Sequence, residues 1–420
     1  MNLILLIIIL VILAKTTAEL ILLELNVRHI LKHKDLPPPA ISDLFDKNLY
    51  NLAINYSLEK SKVNKVELIY ETIILVTILT SGILPYSFDF FRGIFSESPI
   101  AMGLYIFAIG YLYWLLKLPF DWYYQFRIEE KFKFNTTTLK LWIIDQVKIF
   151  LIFLILTTLI AGMVIYLYNY NPSKWAIYAF IALAVIQIIL MIIAPKILMP
   201  LFNKFWKLPE GSLRDKLFSL CEKTNFPVSS IEVMDGSKRS KHSNAFFTGF
   251  GKFRKIILFD TLIHQLSEDE LLSVVAHEIG HYKYGHIIKS LFLSFTSTAI
   301  SLFIVDYLIK CGWFYQAFGF NTINPAPAFL LLFLIGGSFS FWILPILNHF
   351  SRKWEFQADA FAAKTSEKPE YLIAALKKLA EKNLSNPYPH PLYSSVYYSH
   401  PDLIQRIKAL ETFKISAYGG

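Results

Sequence analysis

His277, Glu278 and His281 stand in the order His-Glu-x-x-His, a spacing suited to metal-assisted hydrolysis. Histidines four apart on a helix project from one side, one turn above the other, so both imidazoles reach one zinc ion at about 2.0–2.1 Å. Glu278 is offset around the same helix. From there its carboxylate reaches a zinc-bound water without ligating the metal, and a base so placed takes the proton as the water attacks a peptide carbonyl. A catalytic zinc has three protein ligands and one open position. The longer pattern HExxHxxGxxH does not supply the third: its glycine falls on Tyr284 and its last histidine on Ile287, with His286 one place out of register.

Glu355 is the candidate third ligand. It lies four residues before Asp359 in EFQAD (355–359), so the two carboxylates share a helix face. Glu355 then completes the zinc site, while Asp359, one turn on, is suited to hold a ligand histidine by its other ring nitrogen. The competing reading is a solvated helix in which Arg352 pairs with Glu355. Further on, Ser399-His400-Pro401-Asp402 opens a final helix, with Pro401 in its first turn. Two readings stand there as well. Asp402 and Arg406 form a surface ion pair, or His400 and Arg406 sit at the active site and stabilise the oxyanion of a tetrahedral intermediate.

The elements that carry these residues are legible to different degrees. Ser267 with Glu270 forms a capping box, Glu268 and Asp269 complement the helix dipole, and Leu271, Leu272, Val274, Val275 and Ile279 make an apolar face. A zinc helix therefore starts at Ser267. Upstream, a mixed helix is expected around Gly211–Thr224. Short alternating runs at Ile231–Met234, Ala245–Gly249 and Lys255–Phe259 read as strands of a small sheet, with turns at Asp235-Gly236 and Gly251-Lys252. A sheet beside the zinc offers an edge to which an extended peptide can add.

The rest of the chain is membrane. At 420 residues, 55% hydrophobic, 16% aromatic and with mean hydropathy +0.44, it is too apolar for an ordinary soluble protein. Seven stretches are long enough to span about 30 Å of hydrocarbon: Leu3–Leu23, Val66–Tyr86, Ile100–Phe120, Val147–Tyr168, Trp175–Phe202, Ile287–Ile309 and Ala328–Leu347. The first has no Lys or Arg ahead of it, which argues against a cleaved signal peptide. The net charge of +9 resides mainly in the connections 24–65, 121–146 and 203–286 and in the tail from 349. That alternation predicts an outside N-terminus and a cytoplasmic C-terminus, and it excludes a nucleic-acid stripe. Lys15, Glu19, Glu71, Lys148, Lys196 and Asp306 fall in or near spans. Snorkelling accounts for most of them, and Glu71 is the strongest candidate to face a cavity. Cys221 and Cys311 lie on opposite sides of this topology and form neither a disulfide framework nor a cysteine zinc site. Four regions follow: 1–202 with five spans, 203–286 as a cytoplasmic protease domain, 287–347 with the last two spans, and 348–420 carrying the third ligand.

Taken together, HEIGHYKYGH (277–286), EFQAD (355–359), HSNAFF (242–247), NPYPHPLYSSVYYSHP (386–401) and the seven-span plan make the chain resemble the type I CAAX prenyl proteases over nearly its full length. The resemblance implies one zinc on His277, His281 and Glu355, with Glu278 catalytic. It implies an aspartate at Asp359 that donates a proton or supports a ligand, a substrate-positioning Asn244, and His400 and Arg406 near the scissile bond. It also implies a mainly α membrane fold: seven helices around a hydrated chamber, capped by a protease domain with a small β-sheet. The expected substrate is a prenylated CaaX C-terminus or a related membrane-associated peptide, losing its last three residues, with the lipid bilayer as the other partner. The chain ends in AYGG without a KDEL-type signal, so a bacterial inner membrane and an endoplasmic reticulum fit equally. Two other functions compete. One is a quality-control protease for damaged membrane proteins, although such relatives have fewer spans. The other is a transporter braced by a closed four-ligand metal site, with His286 or His242 as the fourth ligand.

Overall fold

The computed structural model describes residues 2–35, 37–38, 41–42, 46–249 and 254–418, the last five by backbone alone. Among them, five helices are long and apolar enough to cross a membrane: Leu3–Lys32, Leu139–Tyr170, Trp175–Phe202, His286–Leu308 and Pro325–Ser366. Two bent pairs raise the number to seven. Lys47–Thr80 with Ile83–Ile94 bends by 61°, and Pro99–Leu115 with Leu118–Glu129 by 44°. The first bend falls at Gly82, whose φ of +76° lies in the left-handed region that a side chain disfavours. The second precedes Pro119, whose ring disfavours helical backbone at the residue before it.

The seven expected stretches thus recur, with longer helices around them. The final run, Pro325–Ser366, passes through residue 348, so the division drawn there lies inside a continuous helix. Outward residues such as Leu13, Phe153, Ile155, Ile181 and Phe303 remain exposed, as a lipid-facing surface requires. The interior is packed by Phe88, Met102, Tyr105, Trp175, Phe314 and Tyr315.

Several ionisable residues in the spans face inward instead of snorkelling. Lys15, Glu19, Glu67 and Glu71 line a cavity of about 350 Å³. Lys15 pairs with Glu19, and Lys117 with Glu71. Snorkelling therefore does not describe Lys15 or Glu19. Asp306 accepts from the buried Trp175 indole at 2.6 Å and pairs with Lys310. A second cavity, of about 1170 Å³, lies on the protease side, and Asn64, Tyr393 and Tyr397 line both.

The protease region holds a four-stranded mixed sheet of β1 (Phe205–Lys207), β2 (Ser230–Met234), β3 (Ala245–Thr248) and β4 (Lys255–Phe259), ordered β1-β2-β4-β3. β2 runs parallel to β4 with Ile231 opposite Ile256, and β3 runs antiparallel to β4 with Ala245 opposite Leu258. Three strands fall where alternation placed them. β1 is three residues long, too short to show a period. The Asp235-Gly236 turn opens a short 3-10 turn, Gly236–Lys238, and the expected turn at Gly251-Lys252 lies outside the described residues. Helix Ser212–Lys223 packs Leu217 and Cys221 into the same core as Ile231, Val233, Ile256 and Leu258. Both cysteines are free.

Candidate metal centre

The zinc-type motif sits on helix Glu268–Lys283, and its local chemistry explains the start. Ser267 N–H donates to Glu270 Oε2 at 2.7 Å, and Glu270 N–H returns a bond to Ser267 Oγ, so both halves of the capping box are present. Leu271, Val275 and Ile279 are buried on the sheet side. The opposite face meets helix Leu344–Ser366, the continuation of the last span. Gly280 makes this crossing close. A Cβ there would lie 2.9 Å from Ala358 Cα and 3.1 Å from Ala358 O, both backbone atoms.

That approach brings three donors together from two helices. His277 Nε2 and His281 Nε2 are 3.1 Å apart. Glu355 places Oε1 3.2 Å from His281 Nε2 and Oε2 3.4 Å from His277 Nε2. Glu355 is buried, and its Oε2, though close to several nitrogens, receives no hydrogen bond of good geometry. Lone pairs that converge this way repel unless protons or a cation lie among them. An N₂O donor set with a buried, unsatisfied carboxylate oxygen fits a divalent metal. Among the described residues these three form the only such group.

Each imidazole is held from behind, and differently. His277 Nδ1 is 2.8 Å from Asp359 Oδ1. Asp359 in turn accepts a two-pronged bond from Arg406, Nε to Oδ2 at 2.9 Å and Nη2 to Oδ1 at 2.6 Å. Burial opposes charge on His277, but the nearby carboxylates of Asp359 and Glu355 outweigh it and raise the imidazole to about 9. Behind His281 the support is neutral: its Nδ1 lies 2.9 Å from His286 Nδ1, and His286 Nε2 lies 3.0 Å from Gln357 Oε1. If His281 offers Nε2 to a metal, its Nδ1–H donates to His286, whose Nε2–H then donates to Gln357. Glu278 is half-buried, enclosed enough that desolvation raises its carboxyl above the ordinary range.

The other expected residues separate. His400, exposed on the cavity wall, has Nδ1 2.8 Å from Glu355 Oε2. Arg406 is committed to Asp359, while Asp402 caps Gln405 N–H at 2.9 Å, so the Asp402–Arg406 surface pair does not form. Arg352 does not pair with Glu355; it donates to backbone carbonyls of the 391–398 segment. Asn244 is exposed at the entry to edge strand β3, its Oδ1 accepting from Ala245 N–H, and it makes no recorded contact with the donor triad. Neither proposed fourth ligand reaches the triad as a ligand. His286 stands behind His281, and His242 bonds Asn383 and Glu129 while stacking on Phe134. Sequence reasoning missed His286 and Gln357 as supports and Gly280 as the contact point. The signal for Gln357 was its place between Glu355 and Asp359 in EFQAD.

Residues 26–204 match the family model described as CAAX prenyl protease N-terminal, five membrane helices, and residues 207–414 match peptidase family M48. CAAX prenyl protease 1 of Saccharomyces cerevisiae is 34% identical over 409 residues, covering 89% of this chain and 88% of that protein. The Oryza sativa homologue is 36% identical and covers 93% of each, and the Homo sapiens homologue is 31% identical, covering 92% and 91%. The crystal structure of S. mikatae Ste24p aligns with a TM-score of 0.92 at 32% identity, over 97% of this chain and 99% of that one.

Proposed function

This chain belongs to the CAAX prenyl proteases of peptidase family M48, multi-pass membrane metalloendopeptidases, and from that premise we propose how its own residues perform the cleavage. The metal is zinc, one per chain, held by His277, His281 and Glu355. When bound, it supplies Lewis acidity to water and to the scissile carbonyl. Glu278 takes the attacking water's proton and returns it to the leaving amine, and its raised affinity for protons suits both transfers. Asp359 fixes His277 by its Nδ1, and Arg406 fixes Asp359, so both act through the ligand. His400 lines the cavity. Its Nδ1 lies against Glu355, and its other ring nitrogen is offered to the developing oxyanion. Asn244, at the mouth of edge strand β3, positions a peptide that adds to that strand.

The substrate is the C-terminus of a prenylated CaaX protein, trimmed of three residues. The protease region faces the cytoplasm, a reading supported by the Lys- and Arg-rich connections on that side. The observation that carries the mechanism is the convergence of His277, His281 and Glu355 beside Glu278. The test is Glu278→Gln in the purified full chain, assayed on a prenylated CaaX peptide and on a misfolded membrane protein. We expect zinc near one per chain with kcat down by about 10²–10⁴-fold. Undiminished hydrolysis would reject the mechanism, and cutting of the misfolded protein alone would reject CaaX trimming.

A further inference from the structure

Arg352 lies three residues before Glu355 on the same helix, yet its guanidinium points away from the metal triad. Its Nη1 donates to Ser394 O at 3.4 Å, Ser395 O at 3.0 Å and Tyr398 O at 2.8 Å. One turn earlier, Asn348 Nδ2 donates to Val396 O at 2.6 Å. These carbonyls belong to the last turn and C-cap of the short helix Pro391–Tyr397, where a cation is favoured; Ser394 O also accepts from Tyr398 N–H. His400 follows two residues after Tyr398, and its Nδ1 returns to Glu355. The path closes on itself: Arg352, the Tyr398 carbonyl, His400, Glu355, and back along one helical turn to Arg352. The beginning of the segment is fastened elsewhere, by His390 N–H to the buried Asn26 Oδ1 at 3.0 Å, and Tyr397 near its end also donates to Glu19 at 3.3 Å, both partners on the first span.

We propose that Arg352 is a positioning residue for the cleavage, setting the end of the 391–398 segment so that His400 stands against Glu355 and the scissile carbonyl. The inference rests on the reading of His400 as the oxyanion donor. All three carbonyls converge on one guanidinium nitrogen, Nη1, carried to them by a side chain that stays charged and is more weakly hydrated than an ammonium. The helix that supplies the third ligand thereby also sets the position of the oxyanion donor, so the distance between them is fixed by one rigid element instead of by two loops.

The test is a double-mutant cycle in the full chain, with kcat, KM and zinc content measured on a prenylated CaaX peptide. Arg352→Met is expected to lower kcat about 10- to 100-fold, as loss of a supporting partner does, with KM and zinc per chain little changed. Arg352→Lys, which keeps the cation and part of the bonding, should lose less, and it carries the test if the Met variant does not fold. Combined with His400→Ala, either Arg352 variant should cost nothing beyond His400→Ala alone. Losses that multiply, or zinc that falls in step with kcat, would overturn the proposal while leaving His400 in its role. A fully active His400→Ala would overturn both readings, so the two failures are distinguishable.

Discussion

Two helices meet at the metal triad, and they depend on the rest of the chain in opposite ways. Glu268–Lys283 is self-sufficient at its start: its capping box, acidic first turn and apolar face all lie within its own residues. Leu344–Ser366 has no side-chain cap and continues a membrane span, and the polar groups on it nearest the site are held by distant segments. Asn348 and Arg352 hold residues 394–398, Glu355 meets the histidines, Gln357 holds His286 and Asp359 is held by Arg406. One helix presents two ligands from a local design. The other collects the long-range contacts that turn those ligands into a site.

The sharpest way to break this contrast is to remove the single ligand that the second helix supplies. Glu355→Ala leaves both imidazoles on their own well-formed helix, so the fold should persist while metal affinity falls by more than the roughly 10- to 100-fold typical of losing a supporting partner. Metal analysis after dialysis, alongside helical circular dichroism, reads both. Retention of stoichiometric metal would show that the histidine helix forms the site alone.

A finer comparison separates the two supports behind the histidines. Asp359→Asn removes a buried charge and strands the Arg406 guanidinium, whereas His286→Ala removes a neutral partner and leaves Gln357 partly free. Both should weaken metal binding within the same 10- to 100-fold range. The Asp359 variant should lose more, because an unpaired buried cation adds its own penalty. Competition with a chromophoric chelator ranks them, and equal losses would mean that charge behind His277 contributes nothing special.

This asymmetry also explains what was legible. Periodicity and capping revealed the histidine helix from Ser267, three of four strands and the seven apolar stretches, since each signal lies within a few residues. Glu355 was singled out because a carboxylate four residues from Asp359 suits a third donor, and the fold brings it beside the histidine pair. The partners of Arg352 and Arg406 were not found: the local pairs with Glu355 and Asp402, weighed as alternatives, do not form. Nothing local announced that carbonyls more than forty residues downstream of Arg352, or Asp359 forty-seven residues before Arg406, would win. Lys15 and Glu19 were assigned to snorkelling for the same reason: the cavity they line is made by other helices.

The crossing itself can be loosened. Gly280→Ala adds a methyl group against the Ala358 backbone, which cannot give as a flexible side chain would. The helices must separate by some tenths of an ångström, at a cost of about 1–3 kcal/mol. Because the triad spans this contact, activity and metal affinity should fall together with the melting temperature. A variant that melts early but keeps full metal affinity would show that the triad tolerates the shift.

The smallest effect expected is at the other end of the same helix. Ser267→Ala removes the side-chain acceptor for Glu270 N–H, while Glu270 keeps its ion pair with Lys378 at 2.7 Å. Loss of such a cap costs about 1 kcal/mol, read as a small fall in melting temperature. Nine residues of helix separate Ser267 from His277, and Leu271 and Val275 anchor that interval on the sheet. Fraying at the start therefore stops before the ligands, and metal affinity and kcat should stay at their original values. If kcat fell with the cap, the histidine helix would depend on its start as the other depends on its distant partners, and the contrast drawn between them would fail.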